Sequence, residues 1–218
     1  MSKDVGVIVR SLIFSLLLAI VVGLVLLLIF VDIVVLKNSV GEISVTEFAQ
    51  ELFLLLTGGL FLNMASKSAA YRGGYLLIAG FFFCLFIREI DFFLDYLSHG
   101  SWFYFAMLCA IGCIVYALRS IKSTIAGLVH FFQHPSYGYM VCGLLSVLVF
   151  SRLIGMNKLW LTLMDEGYVR TVKNLAEESA ELFGYTLCLI SGVFYYRSAR
   201  HNEKKQPNDE LSCLRLPS

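Results

Sequence analysis

The sequence predicts an all-α, polytopic integral membrane helix bundle of about six transmembrane helices, and three observations carry that expectation. Of 218 residues, 58% are hydrophobic and only 15% are charged, against roughly half and a quarter in soluble domains. The apolar residues gather in runs of about 20, the length that crosses a ~30 Å hydrocarbon core. The cations between those runs fall mainly on one side, as they do around membrane spans.

The spans follow in order. The first, 12–36, has no charge before Asp32 and is preceded by Lys3 and Arg10. It continues through Val34, Val35 and Leu36, beyond the length of a secretory signal and without a small-residue cleavage site, so an uncleaved span is expected. The second, third and fourth cover 43–65, 73–97 and 102–118. The fifth, 135–154, opens on Pro135, a residue suited to a first helical turn. The sixth, 175–196, ends at Arg197, and a short polar tail, 201–218, follows. Residues 121–134 are too few and too mixed to cross, and suit an interfacial helix. Residues 159–172 carry Trp160 and Tyr168, whose rings favour headgroup depth. The chain up to residue 200 thus reads as one transmembrane helical domain.

An even number of spans puts both termini on one side, with the loops around 66–72 and 119–134. That side holds 11 of the 17 cations and only 4 of the 16 acids. The excess of Lys and Arg in cytoplasmic loops makes it the cytoplasmic side. Short loops and no organelle signal suit the cytoplasmic (inner) membrane of a bacterium.

Depth counting singles out four charges. From Lys67 outward, the uncharged stretch ending at Glu51 rises about 21 Å, too little for the hydrocarbon core. Arg88 in the third span, Arg152 in the fifth and Glu181 in the sixth are reached after about 22–24 Å by the same count. Charges at such depth are unfavourable facing lipid and pair readily inside a bundle, where the guanidinium fork fits a carboxylate. Stoichiometry allows each Glu one Arg, without fixing which.

Helical phase extends the set. Arg88, Asp95 and His99 lie near one line, with Asp91 about 60° away. Glu47 and Glu51 share a face, and Arg170, Lys173, Glu177 and Glu181 form a stripe at i,i+3 and i,i+4 spacing. Glu89 and Glu178 fall about 100° off their stripes and are set aside. The expected cluster is Glu47, Glu51, Arg88, Asp91, Asp95, Arg152, Glu177 and Glu181, lining a polar funnel that opens outward. The echo between Glu47–Phe53 and Glu177–Phe183 reflects the same pattern, each having acids four apart followed by Leu-Phe.

Metal chemistry gets little support. Asp91, Asp95 and His99 share a ridge, but the Glu-x-x-His pairs of helical di-iron bundles are lacking. His130 and His134 have i,i+4 spacing but no acid beside them, and interfacial placement is expected. The six cysteines contain no Cys-x-x-Cys, and those in apolar runs read as small packing residues. Gly58-Gly59 and Gly73-Gly74 suit close helix packing. A net charge of +1 excludes a broad nucleic-acid surface, and no phosphate loop, nucleophile elbow or other cofactor motif occurs.

Three functions remain open on the sequence. One is binding or transport of an anionic small molecule, a lipid headgroup or protons at the funnel, in a bundle small enough to dimerise. Another is an outer-leaflet membrane enzyme with carboxylate acid/base or metal chemistry. The third is a structural or accessory subunit of a membrane complex.

Overall fold

The computed structural model describes the backbone of residues 3–37, 44–95 and 100–213 and, within these, the side chains of residues 4–201. Every regular element among the described residues is helical. α1 spans Lys3–Phe30 and continues into a π-helical turn, Val31–Val35. α2 is Val45–Lys67, α3 Arg72–Glu89, α4 Asp91–Asp95, α5 Ser101–Arg119 and α6 Ile121–Phe132. α7, Tyr137–Leu145, passes through a second π turn, Ser146–Phe150, into α8, Ser151–Ile154. α9 is Asn157–Met164, and α10 is Arg170–Cys213.

Among the described residues, four stretches are long and apolar enough to cross a membrane: Asp4–Val35, Val45–Lys67, Ser101–Arg119 and Tyr137–Ile154. α3 is shorter, with Arg72, Arg88 and Glu89 among its 18 residues. The stretch expected to span 73–97 is broken at Ile90, which ends α3, and turns into α4. Charge explains the break, because Arg88, Glu89, Asp91 and Asp95 crowd one end of an otherwise apolar helix. The expected sixth span lies within the longer α10.

The surface departs from the pattern of a water-soluble protein, with apolar side chains exposed along whole helices. Only 6% of the apolar window is buried in Asp4–Val35 and in Ser101–Arg119, against 39% in Val45–Lys67. α1 exposes Leu12, Leu16, Ile20 and Leu24, and α5 exposes Tyr104, Leu108, Ile111 and Leu118. The buried set includes Thr46, Gln50, Thr57, Ser151, Thr186 and Ser191. Apolar residues face outward over whole helices, far beyond the few hundred Å² of contiguous apolar surface usual for soluble monomers.

The chain forms two compact units. The first comprises Met1–Gln50 and Gly143–Thr186, the second Glu51–Cys142 and Leu187–Ser218. In the first, α10 approaches the second π turn closely at Gly184. A Cβ there would stand 2.5 Å from Val147 Cγ2 and 2.7 Å from the Gly143 carbonyl oxygen. Ser146 Oγ donates to the Ala180 carbonyl at 2.8 Å across the same approach.

In the second unit, α3 packs against α5 and α6. A Cβ on Gly74 would meet the Leu128 nitrogen at 2.6 Å, so backbone touches backbone there. At Gly59 a Cβ would meet nothing within 4 Å, so the expected packing role holds for Gly73 and Gly74 and not for Gly59. Phe61, Tyr75, Phe131 and Tyr195 form the aromatic centre, with Phe131 and Tyr195 centroids 4.9 Å apart.

Candidate functional site

The first unit carries a closed charge network where α8 meets α10. Arg152, in α8, pairs through Nη2 with Glu181 Oε1, and its Nη1 lies 3.4 Å from Glu177 Oε1. Lys173 Nζ lies 2.9 Å from Glu177 Oε2, one turn along α10, and 3.4 Å from the Gly155 carbonyl oxygen. Ser151 Oγ stands 3.1 Å from Glu181 Oε1 and 2.6 Å from the Val147 carbonyl oxygen, and its one proton serves either. Two cations therefore face two carboxylates, and the cluster is neutral.

Its members differ sharply in exposure. The Glu181 side chain is 4% exposed and Glu177 18%, whereas Arg152 is 44% exposed. Arg152 thus holds two carboxylates through its guanidinium while much of its side chain stays exposed. Gly155 makes room for Glu177, since a Cβ there would stand 2.5 Å from the Glu177 carboxyl carbon. The π turn directly before Ser151 adds a residue to the helical winding, and such insertions re-aim side chains at functional sites. Alongside, Gln50 is buried and its Nε2 donates to Glu178 Oε2 at 2.9 Å and to the Glu178 carbonyl at 3.2 Å.

A second polar feature of this unit went unread in the sequence. Asp32, in the first π turn, is fully buried. Its carboxylate accepts the N–H of Val45 at 2.9 Å and both the N–H and hydroxyl of Thr46, at 2.8 and 2.6 Å. Ser44 Oγ accepts the Glu47 N–H at 3.1 Å. Together they supply acceptors to the first three N–H groups of α2, which a helix leaves without internal partners.

The second unit holds the remaining expected residues except Glu47, which lies in the first turn of α2 in the first unit. Arg88 forms an ion pair with its neighbour Glu89 at the end of α3. No ion pair joins Arg88 to Glu51 among the described residues. Glu51 is half-buried and Asp91 exposed. Asp95 accepts the Gly100 N–H at 2.8 Å, where φ of +78° gives the chain its turn into α5. His99 lies outside the described residues. Among the described residues, no three His, Cys, Asp or Glu side chains are grouped as metal ligands.

Helix phase alone set Glu89 and Glu178 aside, yet both make polar contacts. Glu89, the last residue of α3, pairs with its sequence neighbour Arg88, and Glu178 faces Gln50 of α2. The histidines also gain partners. His130 Nδ1 lies 2.5 Å from the Tyr195 hydroxyl, which lies 2.8 Å from the Tyr75 hydroxyl. His134 Nδ1 accepts the Ser136 N–H at 3.2 Å. Buried phenols need such partners, and the abundance of Tyr in α10 was the available signal.

No protein family, curated protein or solved structure matches this chain.

Proposed function

We propose that this chain is a multi-pass integral membrane protein of six spans whose Arg152 cluster binds a small anion or anionic headgroup, with proton uptake compensating the added charge. The observation that carries the reading is the contrast between Arg152, whose side chain keeps an exposed face, and Glu181, which is buried against it. An anion approaching that face meets preorganised N–H donors, a strong arrangement for carboxylate or phosphate oxygens. The resting cluster is neutral, so a bound anion leaves it with one excess negative charge. In a low-dielectric setting such an excess is costly, and protonation of one carboxylate removes it.

The six-span reading is supported by the apolar surface left exposed along whole helices. α3 and α10, the two spans outside the four long apolar stretches, bury Tyr75, Phe82, Tyr185 and Tyr195. Helices in the middle of a bundle need less lipid-compatible surface than those at its rim. The sided charge distribution supports cytoplasmic termini in a bacterial inner membrane.

The closed stoichiometry of the cluster also favours a second reading, in which the ion pairs only fasten α8 to α10. Anion binding separates the two. Purified protein in detergent is titrated with acetate, chloride and inorganic phosphate, alongside Arg152→Gln. The proposal expects wild-type binding of at least one anion and loss of about tenfold or more in the variant, the weight of a charged hydrogen bond. Binding unchanged by Arg152→Gln, or no binding by the wild type, leaves the fastening role alone.

A further inference from the structure

The end of α2 and the turns of α10 around residue 200 border a groove of about 370 Å³, lined by Leu60, Val193, Tyr196, Arg197, Arg200 and His201. Lys67, the last residue of α2, stands beside it, with Nζ 3.5 Å from the Tyr196 hydroxyl and 5.7 Å from the ring centre. The Arg200 guanidinium lies 5.6 Å from the same centre. Val193, Tyr196, Arg197, Arg200 and His201 follow the spacing of one helix face.

Two features make this more than a solvated basic end. Among the described residues, no acid lines the groove and none of Lys67, Arg197 and Arg200 is ion-paired. Two permanent cations on one ring, with Arg197 in the lining of the same groove, repel each other, and a bound anion relieves that repulsion. The groove is also amphiphilic, since Leu60 and Val193 lie one to two turns back along their helices from Lys67 and from Arg197 and Arg200. Inorganic phosphate would use the cations and leave that apolar floor idle. A molecule with a phosphate joined to hydrocarbon uses both.

We propose that this groove binds an anionic phospholipid, with Lys67, Arg197 and Arg200 holding its phosphate and Leu60 and Val193 receiving the start of an acyl chain. The site rests on the membrane-embedded reading and is independent of the Arg152 cluster. Tyr196 positions the two cations that gather on its ring and offers its hydroxyl to the headgroup.

The test uses the full chain in nanodiscs containing equal parts of phosphatidylglycerol and phosphatidylcholine, with retained lipids counted by native mass spectrometry. Wild type should retain phosphatidylglycerol preferentially, and Arg197→Gln with Arg200→Gln should lose about fivefold of that preference per cation. Arg10→Gln with Arg119→Gln removes the same charge elsewhere and should keep the wild-type preference. Millimolar inorganic phosphate should not displace the lipid. Equal retention of both lipids by wild type would overturn the proposal, as would equal losses in both double variants. Displacement by phosphate would make this a soluble-phosphate site instead. Alkaline carbonate washing of membranes reads the underlying premise separately. A wild-type chain released by that wash overturns the membrane reading and the lipid site together, whereas a retained chain without lipid preference overturns only the site.

Discussion

Asp32 and Thr46 are joined twice, through the Thr46 N–H at 2.8 Å and the Thr46 hydroxyl at 2.6 Å, both accepted by Asp32 Oδ2. The other carboxylate oxygen takes the Val45 N–H at 2.9 Å. A carboxylate suits this place electrostatically, because a helix N-terminus carries partial positive charge. An aspartate within an apolar run, which by hydropathy only interrupts the first span, thus starts the second helix.

Asp32→Ala should therefore destabilise the protein by about 1–3 kcal/mol, the consequence of leaving buried donors unsatisfied. Asp32→Asn, which keeps an acceptor oxygen, should lose less. Thermal unfolding in detergent measures both, and an Asp32→Ala protein as stable as wild type would mean water replaces the cap.

The Arg152–Glu181 contact predicts an asymmetry. Arg152→Leu strands Glu181, whose side chain is 4% exposed, whereas Glu181→Gln leaves an arginine that is 44% exposed and still near Glu177. The first loss should approach the ~3–5 kcal/mol of a broken buried pair. The second should sit nearer the ~0–1 kcal/mol of an exposed one. The double variant should lose less than the two singles combined, with coupling above ~0.5 kcal/mol. Additive losses would show that the two side chains do not interact in the folded protein.

Apolar run lengths made α2 and α5 legible within a few residues, and the end of the fifth span at Ile154. Depth counting brought Arg152 and Glu181 to a common level, and the two side chains meet. The π turns at Val31–Val35 and Ser146–Phe150 were not legible, because no residue type encodes a wider winding. Both turns carry or precede a key polar residue, Asp32 and Ser151–Arg152, so constant 100° phase fails just there. The Arg88–Glu89 pair escaped the same way, since neighbours in sequence do not share a helix face. The Tyr195 hydroxyl, within the sixth span, lies between Tyr75 and His130, a contact between helices that spacing along one helix does not give.

The turn between α6 and α7 predicts a pH dependence. Burial, and then the neighbouring His130, hold His134 below the ordinary histidine range, and its Nδ1 accepts the Ser136 N–H. The folded state thus favours neutral His134, while the unfolded chain binds a proton near pH ~6.5. Stability contributed by the neutral ring is present above that value and is lost as pH falls through it towards the lower folded-state pKa. Unfolding temperatures at pH 7.5 and 5.5, as two about-neutral and mildly acid conditions, should differ more for wild type than for His134→Asn. The same difference in both would assign the acid sensitivity elsewhere.

The six-span layout predicts that position 165 faces outward and position 122 inward. In a cysteine-free background, Asp165→Cys should react with a membrane-impermeant maleimide in intact cells and Lys122→Cys only after permeabilisation. Reversed labelling would invert the orientation, and labelling of both from outside would break the span count.

Anion binding coupled to proton uptake is the claim on which the functional account turns, and an unbuffered binding titration reads it directly. Protein in weakly buffered detergent solution at neutral pH, with a pH indicator, is mixed with the anion found to bind among acetate, chloride and phosphate. Binding at Arg152 should remove protons from solution, up to one per anion beyond the ligand's own titration. Glu177→Gln with Glu181→Gln should bind the anion without that uptake. Anion binding with no proton change in wild type, or unchanged uptake in the doubly substituted protein, would contradict the account.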